Sequence, residues 1–136
     1  ARESSMPATI TKGQIEAAAC EAVNRFIRRQ IGRGATTVSA VCHRDLMVVH
    51  LCGVLTKIEE SLAANADGEG DLGLARSMRN HLVSKSRQEL TEALARVAGA
   101  RPSSILHDFD DRSGDEVFVF RFLDGAFNRL CDHRSA

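Results

Sequence analysis

The sequence lacks a long apolar segment and a net charge, and each absence argues against a class of function. None of its apolar runs within 136 residues approaches the roughly 18–20 residues that span a bilayer, so direct membrane insertion is not expected. The 18 Lys and Arg residues balance the 18 Asp and Glu residues, which gives no signal for nucleic acid or an anionic membrane surface. A chain of this length is expected to form one domain around one core.

Short catalytic and metal-binding motifs are also missing. There is no CxxC pair, no Gly-x-Ser-x-Gly elbow and no glycine-rich loop leading into a helix, so zinc-finger, serine-hydrolase and phosphate-loop chemistry are not indicated. The start of the chain has no secretion signal, which favours a cytoplasmic protein with reduced thiols at Cys20, Cys42, Cys52 and Cys131. We therefore predict no catalytic residue, no cofactor and no metal.

Two capping boxes indicate where helices begin. Thr11 and Gln14 stand three residues apart at the head of one helical pattern, and Thr56 and Glu59 do the same at another. In such a box the Thr hydroxyl accepts from the later amide, while the later side chain returns to the Thr amide. Glu59, which resembles a catalytic carboxylate, is therefore assigned a structural role.

The remaining patterns predict a two-layer α+β sandwich, with an antiparallel sheet of two hairpins and helices on one face. The expected order is α-β-β-α-α-β-β. Strands are predicted at 36–43, 46–54, 103–109 and 116–123. A glycine-rich break at 65–71 precedes a long helix at 72–98, whose apolar face would carry Leu74, Met78, Leu82, Leu90, Leu94 and Val97. We expect a disordered segment at 1–9, a domain at 10–125 and a tail at 126–136.

The outer face of the sheet is predicted to be an interface. Alternation assigns one face of the first hairpin to the core, namely Val38, Ala40, Cys42, Met47, Val49 and Leu51. The opposite face is only partly polar, and both faces of the last strand are apolar, although a solvated face should alternate cleanly. Exposed apolar patches usually mark partner surfaces. Val41, Val48, Val117 and Val119 are therefore expected to mediate a homo-oligomer, a dimer or larger.

His50 and Cys52 are the candidate ligand-binding residues. With a two-residue turn at 44–45, His43 lies roughly 13 Å along the strands from His50, too far to share an ion. His50 and Cys52 are neighbours on one face, about 7 Å apart by the same rise. Two ligands do not make a metal site unless another element adds more. The acidic loop at 110–115 does not fit a calcium-binding pattern and is expected to be a solvated hairpin tip.

Several blocks of the sequence are similar to a known family. They are Gly32-Arg-Gly-Ala-Thr-Thr-Val38, Leu-x-Gly-Val-Leu-Thr-x-x-Glu at 51–59, Arg79, Val97-Ala-Gly99 and Glu116-Val-Phe-Val-Phe-Arg-Phe-Leu-Asp124. Together they resemble the MpsC-like family, named for a proposed subunit of a sodium-translocating, membrane-potential-generating system. The resemblance covers about residues 10–124. It implies a small cytoplasmic protein associated with a membrane system for cation or inorganic-carbon uptake, and it carries over no catalytic residue.

Three hypotheses about function remain. The first is a non-enzymatic accessory or regulatory protein that acts by self-association and protein contacts, with a membrane transporter subunit as a possible partner. The alternative is an enzyme or small-ligand-binding domain whose pocket forms at a subunit interface and includes His50 and Cys52. Nucleic-acid binding through Arg25, Arg28, Arg29 and Arg33 ranks last, because the whole domain is not basic.

Overall fold

The computed structural model describes residues 11–53, 56, 57, 59, 61, 69–110 and 112–128. Among these residues, the elements with defined bounds are α1 (Lys12–Ile31), β1 (Thr37–His43), β2 (Leu46–Cys52), α2 (Glu69–Lys85), α3 (Arg87–Ala98), β3 (Ser104–Phe109) and β4 (Glu116–Arg121). Lys57, Glu59 and Ser61 are also helical. The predicted α+β class and element order are confirmed.

The four strands form one antiparallel sheet in the order β1-β2-β4-β3. In the first hairpin His43 pairs with Leu46 and His50 pairs with Ser39, as the two-residue turn predicts. The two hairpins join through β2 and β4, where His50 stands opposite Val117. This central pairing decides which residues of the two hairpins become neighbours.

Helix α1 is capped at both ends, by Thr11 and Gln14 at its start and by Gly32 at its end. Its first turn contains both capping-box bonds, because the Thr11 amide donates to Gln14 Oε1 at 2.9 Å and the Gln14 amide donates to Thr11 Oγ at 3.1 Å. It ends at Gly32, whose left-handed φ of 96° lets its amide donate to the Arg28 carbonyl. Its buried face is Ile15, Ala19, Ala22, Val23, Phe26 and Ile27.

The predicted long helix at 72–98 is wrong, because the structure has two helices with a break at Ser86. Ser86 has φ −102° and ψ 15°, and its amide is shared between the carbonyls of Leu82 and Val83. The break allows α2 to lie against β3 while α3 lies against α1. Helix α2 also starts at Glu69, so the predicted glycine-rich break does not extend to residue 71; residues 62–68 lie outside the described part.

The predicted apolar face of α2 is displaced by one residue. Leu74 and Met78 are 51% and 60% exposed, whereas Ala75, Arg79 and Val83 are buried. The helix therefore turns a charged residue, instead of Met78, toward the interior. The rotation of α2 about its axis therefore differs from the one that apolar periodicity predicts.

One hydrophobic core lies between the helices and the inner face of the sheet. It includes Met47, Val49 and Leu51 from β2 and Phe118 and Phe120 from β4. The core extends past residue 125, because Phe127 is 2% exposed and its ring meets Phe122 edge-on at 5.2 Å.

Candidate functional site

Arg79 is the centre of a buried ion-pair network. Its side chain is 1% exposed and pairs with Glu116, which is fully buried, through an Nη1–Oε1 distance of 2.8 Å. It also pairs with Glu59 through Nη2 and Oε1 at 2.5 Å. The guanidinium lies 4.2 Å from the centre of the Phe109 ring, a cation–π contact. A buried charge must be paired in this way to be tolerated.

The two carboxylates are placed by separate elements. Glu59 is fixed by its own capping box, in which the Thr56 amide donates to Glu59 Oε1 at 2.9 Å and the Glu59 amide donates to Thr56 Oγ at 3.1 Å. Glu116 is the first, inward-facing residue of β4. Glu59 thus has a second structural role beyond the cap, since it is a partner of Arg79.

Glu116 also holds His107 on the neighbouring strand. His107 Nε2 lies 2.5 Å from Glu116 Oε2, and its Nδ1 lies 2.8 Å from Asn80 Oδ1. These two contacts hold the imidazole ring between Glu116 and Asn80. The network therefore connects α2 to both strands of the second hairpin.

An open cleft of about 510 Å³ lies at the end of the sheet above this network. Its lining residues are His50, Arg76, Asp108, Phe109, Asp110, Asp115, Glu116 and Val117. Arg76 forms a bidentate ion pair with Asp108, in which Nε lies 2.9 Å from Oδ1 and Nη2 lies 2.7 Å from Oδ2. The hydrogen bonds from Arg76 lower the pKa of Asp108 below its usual value. The other carboxylates make this cleft acidic.

A tight turn presents the acidic loop to the cleft. Asp110 Oδ1 accepts from the amides of Arg112 and Ser113, and these bonds, Arg112 first, lower the pKa of Asp110. Gly114 has a left-handed φ of 81°, and its amide donates to the Asp110 carbonyl at 2.8 Å. These bonds hold Asp110 and residues 112–115 in a turn that places Asp115 near His50 of β2.

His50 and Cys52 are neighbours on the outer face of β2, and the structure adds a third group. Cys52 Sγ lies 3.5 Å from His50 Nε2, and Asp115 Oδ1 lies 3.8 Å from the same nitrogen. All three potential ligand atoms lie within 4.8 Å of one another. The alternation within β2 predicts only two neighbours here, because Asp115 joins them through the pairing between β2 and β4.

The four interface candidates lie on the outer face of the sheet. Val41 pairs with Val48 and Val48 pairs with Val119, while Val117 follows on the same face of β4. Leu106, which pairs with Val119 and is 64% exposed, extends the set to the fourth strand. We call Val41, Val48, Val119 and Leu106 the apolar row; it crosses the whole sheet.

The basic residues of α1 are partly used in the fold. Arg29 forms an ion pair with Glu89 of α3, and Gln30 donates to the same carboxylate at 3.3 Å. Arg28 and Arg29 lie in the last turn of the helix, where cations suit the helix dipole. This favours a structural role for these two cations over a nucleic-acid-binding surface.

Comparison with known proteins agrees with the resemblance seen in the sequence. Within the described residues, none of the helices has the length and apolar content needed to cross a membrane. The chain is 26% identical to YbcI of Bacillus subtilis (strain 168), which is described as an uncharacterized protein. The 111 matched residues cover 82% of this chain and 87% of YbcI. No solved structure matches the chain significantly. The model of the family described as "Na+-translocating membrane potential-generating system (MpsC)" matches residues 11–124, and the chain therefore belongs to the MpsC family.

Proposed function

We propose that this protein is a non-enzymatic accessory subunit of a membrane system that moves cations or inorganic carbon, and that it acts by self-association and protein contacts. The family description, a sodium-translocating system that generates a membrane potential, supports the link to a membrane complex. The proposed place of action is the cytoplasmic side of that complex.

The apolar row is the observation that carries this proposal. It crosses all four strands on the face opposite the helix-packed core, and two of its members, Val41 and Leu106, are 41% and 64% exposed. Apolar patches of this kind, with polar groups at their rim, mark protein-binding surfaces. His50 and Asp108 border the row on one side and Arg121 borders it on the other.

The charges beside the row favour a second copy of the chain as one occupant. Arg121, which also pairs with Asp45, lies two residues from Val119 toward one end of β4, and Asp108, which pairs with Arg76, lies toward the opposite end of the sheet. A two-fold axis along the row would place Arg121 of each copy over the acidic end of the other. Such a contact is self-complementary, as a two-fold dimer requires.

Affinity capture from detergent-solubilised membranes of the native cells tests the membrane association. The wild-type protein is expected to recover integral subunits of a cation-translocating complex, and Leu106→Asp is expected to recover them at least about tenfold less, because it places a charge in the row. Leu106 is already exposed, so the fold should tolerate the change.

Gln88→Asp, which introduces the same charge at an exposed site on α3, is the control and should behave as wild type. The proposal fails if the wild-type protein recovers no such subunits. It also fails if Leu106→Asp recovers them undiminished.

A further inference from the structure

We propose that His50, Cys52 and Asp115 form a binding site for a zinc-class transition-metal ion at the edge of the acidic cleft. An imidazole nitrogen, a thiolate sulfur and a carboxylate oxygen are the three donor types that zinc uses in proteins. Here they come from two elements, β2 and the loop before β4, and they converge within 4.8 Å. This proposal does not depend on the proposed protein contacts, although His50 borders the apolar row.

Two of the three separations between ligand atoms agree with tetrahedral coordination. Bonds of about 2.3 Å to sulfur and about 2.0 Å to nitrogen or oxygen set tetrahedral ligands about 3.5 Å apart for S and N, and about 3.3 Å apart for N and O. The observed separations are 3.5 Å from Cys52 Sγ to His50 Nε2 and 3.8 Å from His50 Nε2 to Asp115 Oδ1. Cys52 Sγ and the Asp115 carboxylate lie within 4.8 Å of each other, so tetrahedral coordination requires side-chain rotation that brings this pair closer together.

The backbone around each ligand is fixed before any ion binds. His50 and Cys52 lie two residues apart on the same face of a paired strand. The Cys52 carbonyl accepts a hydrogen bond from the Thr36 amide at 2.8 Å. The next residue, Gly53, has a left-handed φ of 74°, and a Cβ there would lie 2.3 Å from Thr36 Oγ. Asp115 is held by its amide, which donates to Ser113 Oγ, and by its carbonyl, which accepts from the Asp110 amide.

The donor set selects the class of metal. Hard ions such as Na⁺, Mg²⁺ and Ca²⁺ prefer oxygen ligands and do not favour a thiolate. One thiolate and one carboxylate would also balance the two positive charges of Zn²⁺. Because three protein ligands converge among the described residues, a fourth position is left for water or a bound molecule, which is typical of non-structural zinc sites. His50 and Asp115 also line the cleft, whose other carboxylates favour a cation.

Calorimetric titration of the untagged protein with Zn²⁺ tests the site, together with Co²⁺ as a spectroscopic probe. We expect one tight site per chain. Bound Co²⁺ should give a thiolate-to-metal charge-transfer band and the intense visible bands of four-coordinate cobalt. Cys52→Ser and Asp115→Asn should each weaken Zn²⁺ binding by more than the roughly 10–100-fold that loss of a second-shell contact costs, and Cys52→Ser should abolish the charge-transfer band.

Two matched controls separate this site from adventitious binding. Cys20→Ser removes a thiol and Asp124→Asn removes a carboxylate that is 92% exposed; neither lies in the cluster, so both should bind Zn²⁺ as wild type does. Circular dichroism should show that every variant is folded. Absence of a stoichiometric site in the wild type, or unchanged affinity in both Cys52→Ser and Asp115→Asn, would overturn the proposal.

Thiol labelling gives a second readout that needs no substitution. Burial, followed by the Glu16 charge, raises the pKa of Cys42 to about 12, so at pH 8 only about one Cys42 side chain in 10⁴ is a reactive thiolate. Cys52 is partly exposed and should label in the native protein. Zn²⁺ is expected to slow labelling of Cys52, mapped by mass spectrometry, by at least about tenfold and to leave Cys20 unchanged. Equal rates at Cys52 with and without Zn²⁺ would contradict a metal–thiolate bond.

Discussion

Arg79→Met is expected to destabilise the fold by about 3–5 kcal/mol, because it leaves the carboxylates of Glu59 and Glu116 without their cation. Glu116 is fully buried and Glu59 is 13% exposed, so water cannot replace the lost partner at Glu116. The methionine side chain retains much of the apolar stem, which confines the change to the charge. Since domains are typically stable by only about 5–15 kcal/mol, the variant should lose a large fraction of its free energy of unfolding. Urea denaturation, read as the shift in midpoint at constant slope, measures the effect.

Arg76→Met is the matched control on the same helix. Arg76 also forms a two-pronged carboxylate pair, with Asp108, but both side chains are more than 50% exposed. Exposed pairs contribute about 0–1 kcal/mol, so this variant should unfold close to wild type. The importance assigned to the buried network is contradicted if Arg79→Met and Arg76→Met unfold at the same urea concentration.

Val48→Asp is expected to weaken self-association by at least about 100-fold, equivalent to about 3 kcal/mol. Val48 lies in the middle of the apolar row, between Val41 and Val119. In a two-fold dimer each copy would bury a new carboxylate against an apolar surface, and an unpaired buried charge is costly. Size-exclusion chromatography with light scattering, over a dilution series, measures the change in the dissociation constant.

Gln88→Asp again provides the control, because it changes the net charge equally at an exposed position outside the sheet. It should leave the dissociation constant unchanged. Circular dichroism of Val48→Asp should match the wild type, since the substituted side chain faces away from the core. An unchanged dissociation constant in a folded Val48→Asp would exclude the apolar row as the dimer surface.

Local patterns predict most of the fold because they report local physics. The alternation in the first hairpin and its two-residue turn determine the register in which His50 pairs with Ser39. The capping pair Thr11 and Gln14 marks the start of α1. The break at Ser86 has no such signal, since serine is tolerated inside helices and the apolar spacing continues across it. It results from tertiary packing, which sends α2 to β3 and α3 to α1.

The candidate site is harder to predict because its residues come from elements far apart in the chain. Arg79 is buried because it pairs there with Glu59 and Glu116. This burial is not predicted from the sequence, because a lone arginine in a helix normally indicates a solvated face. Asp115 joins His50 and Cys52 only through the pairing of β2 with β4, which places Leu51 opposite Glu116. That order of hairpins in the sheet cannot be derived from the alternation within either hairpin. Arg79 and Glu116 both stand in the blocks that carry the family resemblance, and this was the available signal.

The cleft and the apolar row share one face of the sheet. His50 is two residues from Val48 on β2, so a copy of the chain docked on the row would lie beside the proposed metal ligands. Metal binding and self-association can nevertheless be separated, because Cys52→Ser removes a ligand two residues farther from the row. If both proposals hold, Cys52→Ser should lose zinc and still self-associate.

Sedimentation equilibrium of the wild-type protein at micromolar concentrations tests directly whether the protein associates with itself. The exposed row of Val41, Val48, Val119 and Leu106 predicts a dimer or larger species that dissociates on dilution. A protein that sediments as a monomer at every accessible concentration would contradict self-association through this face.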